Sequence, residues 1–173
     1  VCPYCNVPFV VEKAINNYNN TTNHINAGSV NAYGGSSADF VVHGGVLEKY
    51  NGAAIEVVIP NSVKIIGRAF DSMAITSVVI PDSVQEIGSG AFYGCAALTS
   101  VTMGNSVQKI GRSAFEYCRA LTAITIPDSV KEIGYYAFDG CSALTSLTIG
   151  NSVTEISSDA FRGCSSLIAI IIP

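Results

Sequence analysis

Ile80–Thr102 reads IPDSVQEIGSGAFYGCAALTSVT, and Met103–Thr125 reads MGNSVQKIGRSAFEYCRALTAIT. Ile126–Thr148 reads IPDSVKEIGYYAFDGCSALTSLT, and Ile149–Ile171 reads IGNSVTEISSDAFRGCSSLIAII. Each copy is 23 residues long, and an earlier copy over Ile59–Val79 has 21. Such a period is the signature of a repeat architecture. Within a copy, Leu98, Val101 and Met103 end in period-2 alternation, which predicts a short strand with one buried face. The same places hold Leu121, Ile124 and Ile126, then Leu144, Leu147 and Ile149, then Leu167, Ile170 and Ile172. Pro or Gly followed by Asp or Asn marks a turn. Val84 and Ile87 predict a second short extended piece ending at Gly88. The Ala-Phe pair and Cys95 then form a compact return, expected as one helical or 3₁₀ turn. A single copy cannot cover its apolar residues. Stacked copies bury ladders of Leu, Val/Ile, Phe and Cys, so the fold is a solenoid.

The pattern C-x-x-L-x-x-[IVL]-x-[IM] followed by P-x-S-V-x-x-I-G-x-x-A-F resembles the leucine-rich repeats of BspA-like bacterial surface antigens, the 23-residue Treponema pallidum class. The resemblance covers residues 59–173. Val46–Gly52, reading VLEKYNG, is similar to the hairpin that often precedes the first repeat in that family. The resemblance implies a strand-dominated α/β, right-handed solenoid with parallel strands on its concave face. It also implies adhesion or protein binding, a cell-surface or secreted location, and no catalytic residues. The organisation expected is an Asn-rich segment over 1–39, a capping hairpin over 40–58 and repeats over 59–173.

On the strand face the outward positions include Thr99, Ser100, Thr102, Thr122, Thr125, Thr145, Ser146 and Thr148. They form the candidate binding surface that the family resemblance implies. Five strands at ~4.8 Å spacing make this face about 240 Å². A stable interface needs ~800 Å² per partner. The last copy sets Phe161, Leu167, Ile170 and Ile172 on an open end of the ladder, an apolar patch on the order of 300 Å². That end is expected to be covered by further repeats or by self-association with another copy. Tyr93, Tyr117, Tyr135 and Tyr136 fall near the Phe-Cys return, either as a binding edge or as partly packed surface aromatics.

Composition narrows the remaining classes. The chain has 173 residues, 49% hydrophobic and only 13% charged, with a formal charge of −4. Disorder requires the opposite balance, and no basic excess exists to grip nucleic acid. No apolar run reaches membrane-span length. Glu86, Glu132 and Glu155 share one repeat column with Lys109, which reads as a solvated edge with rung-to-rung pairing. Nucleophile elbows, zinc-protease helices and phosphate loops are absent from the sequence.

The first 39 residues differ in kind. Seven of the sixteen residues from Asn16 to Asn31 are Asn, the composition of a solvated linker or an irregular ribbon. Cys2-Pro3-Tyr4-Cys5 is half a zinc site, a redox pair or two ordinary thiols. Structural zinc wants four ligands, so Cys2 and Cys5 hold metal only with ligands from outside this chain. The run from Cys2 to Phe9 is similar to half of a bacterial zinc ribbon, with Asn6 where Gly is usual. Cys95, Cys118, Cys141 and Cys164 are expected as buried free thiols. Two functions follow: a non-catalytic interaction or adhesion scaffold belonging to a longer bacterial surface or modular protein, or a structural spacer carrying a zinc-ribbon-type module in a cytoplasmic protein.

Overall fold

A computed structural model describes residues 36–168. The chain enters through a three-residue 3₁₀ turn, Ser37–Asp39, closed by a capping box between Ser36 and Asp39. Strands β1 (Phe40–His43) and β2 (Val46–Tyr50) then pair antiparallel, with a bulge between Val41 and Val42. Gly44 and Gly45 join them, both at positive φ (57° and 82°), as a two-residue hairpin connection of matching twist requires.

Each later rung contributes two strands. On one side lie β4 (Ile65–Ile66), β6 (Glu86–Ile87), β8 (Lys109–Ile110), β10 (Glu132–Ile133) and β12 (Glu155–Ile156). They extend the hairpin into a seven-stranded sheet of order β1-β2-β4-β6-β8-β10-β12, parallel from β2 onward. On another side lie β3 (Glu56–Val58), β5 (Ser77–Ile80), β7 (Ser100–Met103), β9 (Ala123–Thr125) and β11 (Ser146–Thr148). Here β3-β5-β7 and β9-β11 form parallel sheets in the repeat register, Val78 opposite Val101 and Ile124 opposite Leu147. The fold is the strand-dominated parallel solenoid that the repeat predicts.

The return side meets expectation only in part. Single 3₁₀-type turns form at 89–97 and its equivalents, but no continuous helix. The N–H groups of Ala91, Tyr93, Cys95 and Leu98 donate three residues back, to Gly88, Gly90, Phe92 and Cys95. Those of Gly90, Phe92 and Gly94 donate instead to Arg112, Ala114 and Glu116 on the next rung, at 2.8–2.9 Å. A 3₁₀ helix would keep every N–H inside the segment. Left-handed backbone at Gly90 and Gly94 (φ 64° and 68°) interrupts the helix in this copy. At the equivalent places Ser113, Tyr117 and Tyr136 adopt φ of 56–62° without being glycine. The return is therefore a third hydrogen-bonded ladder between rungs, which satisfies backbone groups that would otherwise be buried without partners.

The core is a set of columns. Phe70, Phe92, Phe115 and Phe138 are fully buried. With Phe161 their rings stack at 5.0–5.4 Å and 6–10° between planes. The hairpin continues the column through Tyr50 and Phe40 at 5.3 and 5.0 Å, now tilted by 37–40°. That continuation is why Phe40–Tyr50 covers the first rung: β2 supplies a parallel edge for β4, and Tyr50 supplies a ring for Phe70.

Candidate interaction surface

Cys95, Cys118 and Cys141 are buried and Cys164 is half-buried, all as free thiols. Each Sγ donates to the carbonyl of a Phe on the preceding rung: Cys95 to Phe70 at 2.9 Å, and Cys118, Cys141 and Cys164 to Phe92, Phe115 and Phe138 at 3.2 Å. Burial is the main cause that pushes Cys95 and Cys141 up to about 12 and Cys118 higher still. A thiol held protonated is neither nucleophile nor metal ligand. Among the described residues no cluster of three or more His, Cys, Asp or Glu is arranged to hold a metal ion. Cys2 and Cys5 lie outside the described residues.

The interior is thus occupied by packing, and chemistry is left to the outer sides. On the strand side Thr99, Ser100, Thr122, Thr125, Thr145, Ser146 and Thr148 are exposed and Thr102 is half-buried. Ser100, Thr102, Thr125, Ser146 and Thr148 occupy the alternate, non-core positions of β7, β9 and β11, and Thr99, Thr122 and Thr145 immediately precede those strands. Several hydroxyls are not free, because Thr99 and Thr145 donate to the carbonyls of Thr76 and Thr122 at 3.0 and 3.1 Å. At the far end of the ladder Phe161 and Leu167 are half-buried against the core, Ile168 is 94% exposed, and Ile170 and Ile172 lie outside the described residues.

The short-strand side carries the anticipated charge pairing. Lys109 Nζ meets Glu132 Oε1 at 2.8 Å, with Glu86 opposite in register on the other neighbouring strand. The hydrogen bond to Glu132 raises the Lys109 pKa. Both side chains are partly solvated, and such pairs contribute ~0–1 kcal/mol.

The return side is chemically distinct, and only half of that was legible in the sequence. Tyr93, Tyr117 and Tyr136 are half-buried there and Tyr135 is 54% exposed. Arg68 lies over the Tyr93 ring at 5.4 Å, Arg119 over Tyr117 at 5.6 Å and Arg112 over Tyr136 at 5.9 Å. Tyr93 meets Tyr117 edge-on at 5.7 Å. Arg68 also binds Asp71 at 2.8 Å. Glu116 and then Asp139 raise the Tyr117 pKa, so its phenol stays protonated. The sequence reading singled out the tyrosines and missed the arginines. The available signal was that all four arginines, Arg68, Arg112, Arg119 and Arg162, fall in return segments, whereas the lysines of residues 36–168 fall elsewhere.

Comparison with known proteins agrees with this architecture. The model of the BspA type leucine rich repeat region matches residues 63–173 in six copies. The crystal structure of a T. pallidum leucine-rich-repeat protein is 30% identical with a TM-score of 0.75, covering 79% of this chain and 70% of that one. A leucine rich cell surface protein from Faecalibacterium prausnitzii A2-165 is 37% identical with a TM-score of 0.66, covering 72% of this chain. A leucine-rich-repeat protein from Bacteroides ovatus ATCC 8483 is 29% identical with a TM-score of 0.57, covering 66% of this chain. The chain spans 34% and 36% of the lengths of these last two proteins. No curated protein matches it.

Proposed function

The chain belongs to the BspA-type leucine-rich-repeat family, and from that membership we propose that it is a non-catalytic scaffold for protein–protein interaction or adhesion, one section of a bacterial cell-surface protein. One observation carries the reading. Of the side chains buried among the described residues, all but Tyr50 and Asp139 are apolar or thiol, so the specific chemistry this section offers is on its outer sides. In this reading residues 40–58 cap the stack, residues 59–173 build it, and residues 1–39 are a separate leading segment. The surface location draws support from the F. prausnitzii relative, whose description is that of a cell surface protein.

Cross-linking on intact producing cells tests both parts. A small set of proteins should cross-link to the chain saturably and be displaced by excess soluble chain. External protease should cut the chain without cell lysis. Cross-links that merely follow protein abundance and resist competition favour the spacer reading, for which the uniform Thr/Ser strand face is the supporting observation. Protease protection in intact cells overturns the surface location.

A further inference from the structure

We propose that the docking surface is the return side built by Arg68, Tyr93, Arg112, Tyr117, Arg119 and Tyr136, not the strand face, and that its partner is an acidic, extended protein segment. This rests on the scaffold reading and says which side of the scaffold is used and by what.

Three observations converge. Arg and Tyr dominate the energetic centres of protein interfaces. In this charge-poor chain every arginine of the described residues, and every tyrosine but the buried Tyr50, lies in the return segments. The strand face offers Thr, Ser and Ala, several of whose hydroxyls already serve the backbone. Second, Arg112 and Arg119 are exposed, and neither has a carboxylate within 4 Å among the described residues. Their salt-bridge capacity is unspent. Of the acids in the return segments, Asp71 is engaged by Arg68 and Asp139 is only 8% exposed. Glu116 is half-buried beside Tyr117, and the exposed Asp159 lies on the last rung. None of them is within 4 Å of Arg112 or Arg119. Third, each guanidinium is laid on a tyrosine ring. That contact restrains a side chain that otherwise loses much rotamer freedom on binding. A planar guanidinium held this way receives a carboxylate in a two-pronged fashion.

Charge and size select the occupant. The unpaired cations call for carboxylates. A sulfated or phosphorylated polymer would need many phosphate-like contacts, whereas the proposed surface offers three arginines, of which Arg68 is already paired with Asp71. Four rungs about 5 Å apart give this side on the order of 300–400 Å², below the ~800 Å² of a folded partner's footprint. A short extended segment fits, with its carboxylates at Arg112 and Arg119 and apolar side chains across Tyr117 and Tyr136.

The test uses the full chain and three 12-residue peptides of one apolar framework, bearing Asp/Glu, Lys or Gln at the same positions, with dextran sulfate as a fourth probe. The acidic peptide should bind at micromolar concentration and the Lys and Gln peptides at least tenfold more weakly. Arg112→Gln/Arg119→Gln should weaken the acidic peptide at least tenfold. Lys64→Gln/Lys131→Gln, the same charge loss on another side, should change it less than twofold. Equal binding of the three peptides, equal effects of the two double variants, or tighter binding of dextran sulfate overturns the proposal. So does loss of peptide binding in Thr122→Tyr/Thr145→Tyr with the arginine variant unaffected, which moves docking to the strand face and leaves the scaffold reading standing. No peptide binding, in a chain that still cross-links a competable partner on cells, sinks this inference alone. Failure of both experiments sinks the scaffold reading with it.

Discussion

Cys141 sits between two rungs with its thiol on the Phe115 carbonyl, and burial pushes its pKa up to about 12. The folded state therefore binds this proton more tightly than the unfolded chain, whose cysteines ionise near pH 8.5–9. The contribution is complete below that range and is lost as pH rises towards 12, by about 1.4 kcal/mol per pH unit per thiol. Urea midpoints of the wild type and Cys141→Ala should accordingly converge between pH 8 and 10.5, and parallel profiles would contradict the linkage. Phe115 shows the packing side of the same column, with rings 5.1 and 5.2 Å away on either side. Phe115→Ala leaves a cavity between two rungs and should cost ~3–5 kcal/mol. Phe161→Ala should cost clearly less, since Phe161 is half-buried and stacks on one ring among the described residues. Equal shifts in melting temperature would argue against nearest-neighbour stacking.

At the scale of the element, the return ladder is the part that local propensity opposes. Its alternate N–H groups reach the next rung because the backbone turns left-handed twice per copy, and left-handed backbone costs a residue with a Cβ roughly 1–2 kcal/mol. Glycine occupies the first of these places in one copy, Gly90, while Ser113, Tyr136 and Asp159 occupy it in the others. Ser113→Gly should therefore stabilise the chain, by about 0.5–1 kcal/mol after glycine's greater unfolded-state freedom is subtracted. Chemical denaturation of the single variant measures this, and a destabilised Ser113→Gly would mean that the serine side chain contributes more than its backbone strain costs. Tyr136 and Tyr117 tolerate the same conformation while carrying the rings on which Arg112 and Arg119 lie. Replacing those two with glycine removes the platform as well as the strain, so no gain is expected there.

Across the whole molecule the repeat has a second, doubled period. From Ile80 onward copies alternate between Pro-Asp (Pro81-Asp82, Pro127-Asp128) and Gly-Asn (Gly104-Asn105, Gly150-Asn151), whereas the shorter first copy places Pro60-Asn61 directly before Pro81. The structure supplies the reason. A Cβ on Gly104 would lie 2.6 Å from the Pro81 carbonyl group, and one on Gly150 would lie 2.5 Å from that of Pro127. Asp82 and Asp128 accept from the N–H groups of Asn105 and Asn151 at 2.7 and 2.8 Å. From Ile80 onward the stacking unit is thus a pair of rungs. Deleting Met103–Thr125 sets Pro127 where Gly104 stood, against Pro81. Deleting Met103–Thr148 removes a full pair and restores Gly150 and Asn151 against Pro81 and Asp82. The shorter protein should melt at or above the temperature of the longer one, although stability in a solenoid ordinarily falls with each lost rung. A lower, broader transition for the shorter protein would show that the alternation is incidental.

The period, the strands, the buried columns and their order of stacking are determined by the sequence alone, because each is a local pattern written again every 23 residues. Ile87, Phe92, Cys95 and Leu98 announce burial by recurring, and stacking is the one arrangement that covers them all. Of the Thr and Ser positions, Ser100, Thr102, Thr125, Ser146 and Thr148 follow from the same alternation. What recurs only approximately had to be decided by tertiary structure. Arg68 reaches a ring 25 positions ahead, Arg112 one 24 ahead and Arg119 one two positions back, so no fixed spacing pairs these arginines with their tyrosines. The return ladder was hidden for a related reason. Three-residue turns look alike in sequence whether their spare N–H groups point inward or to a neighbour, and only the adjacent rung, by presenting its carbonyls, decides between them.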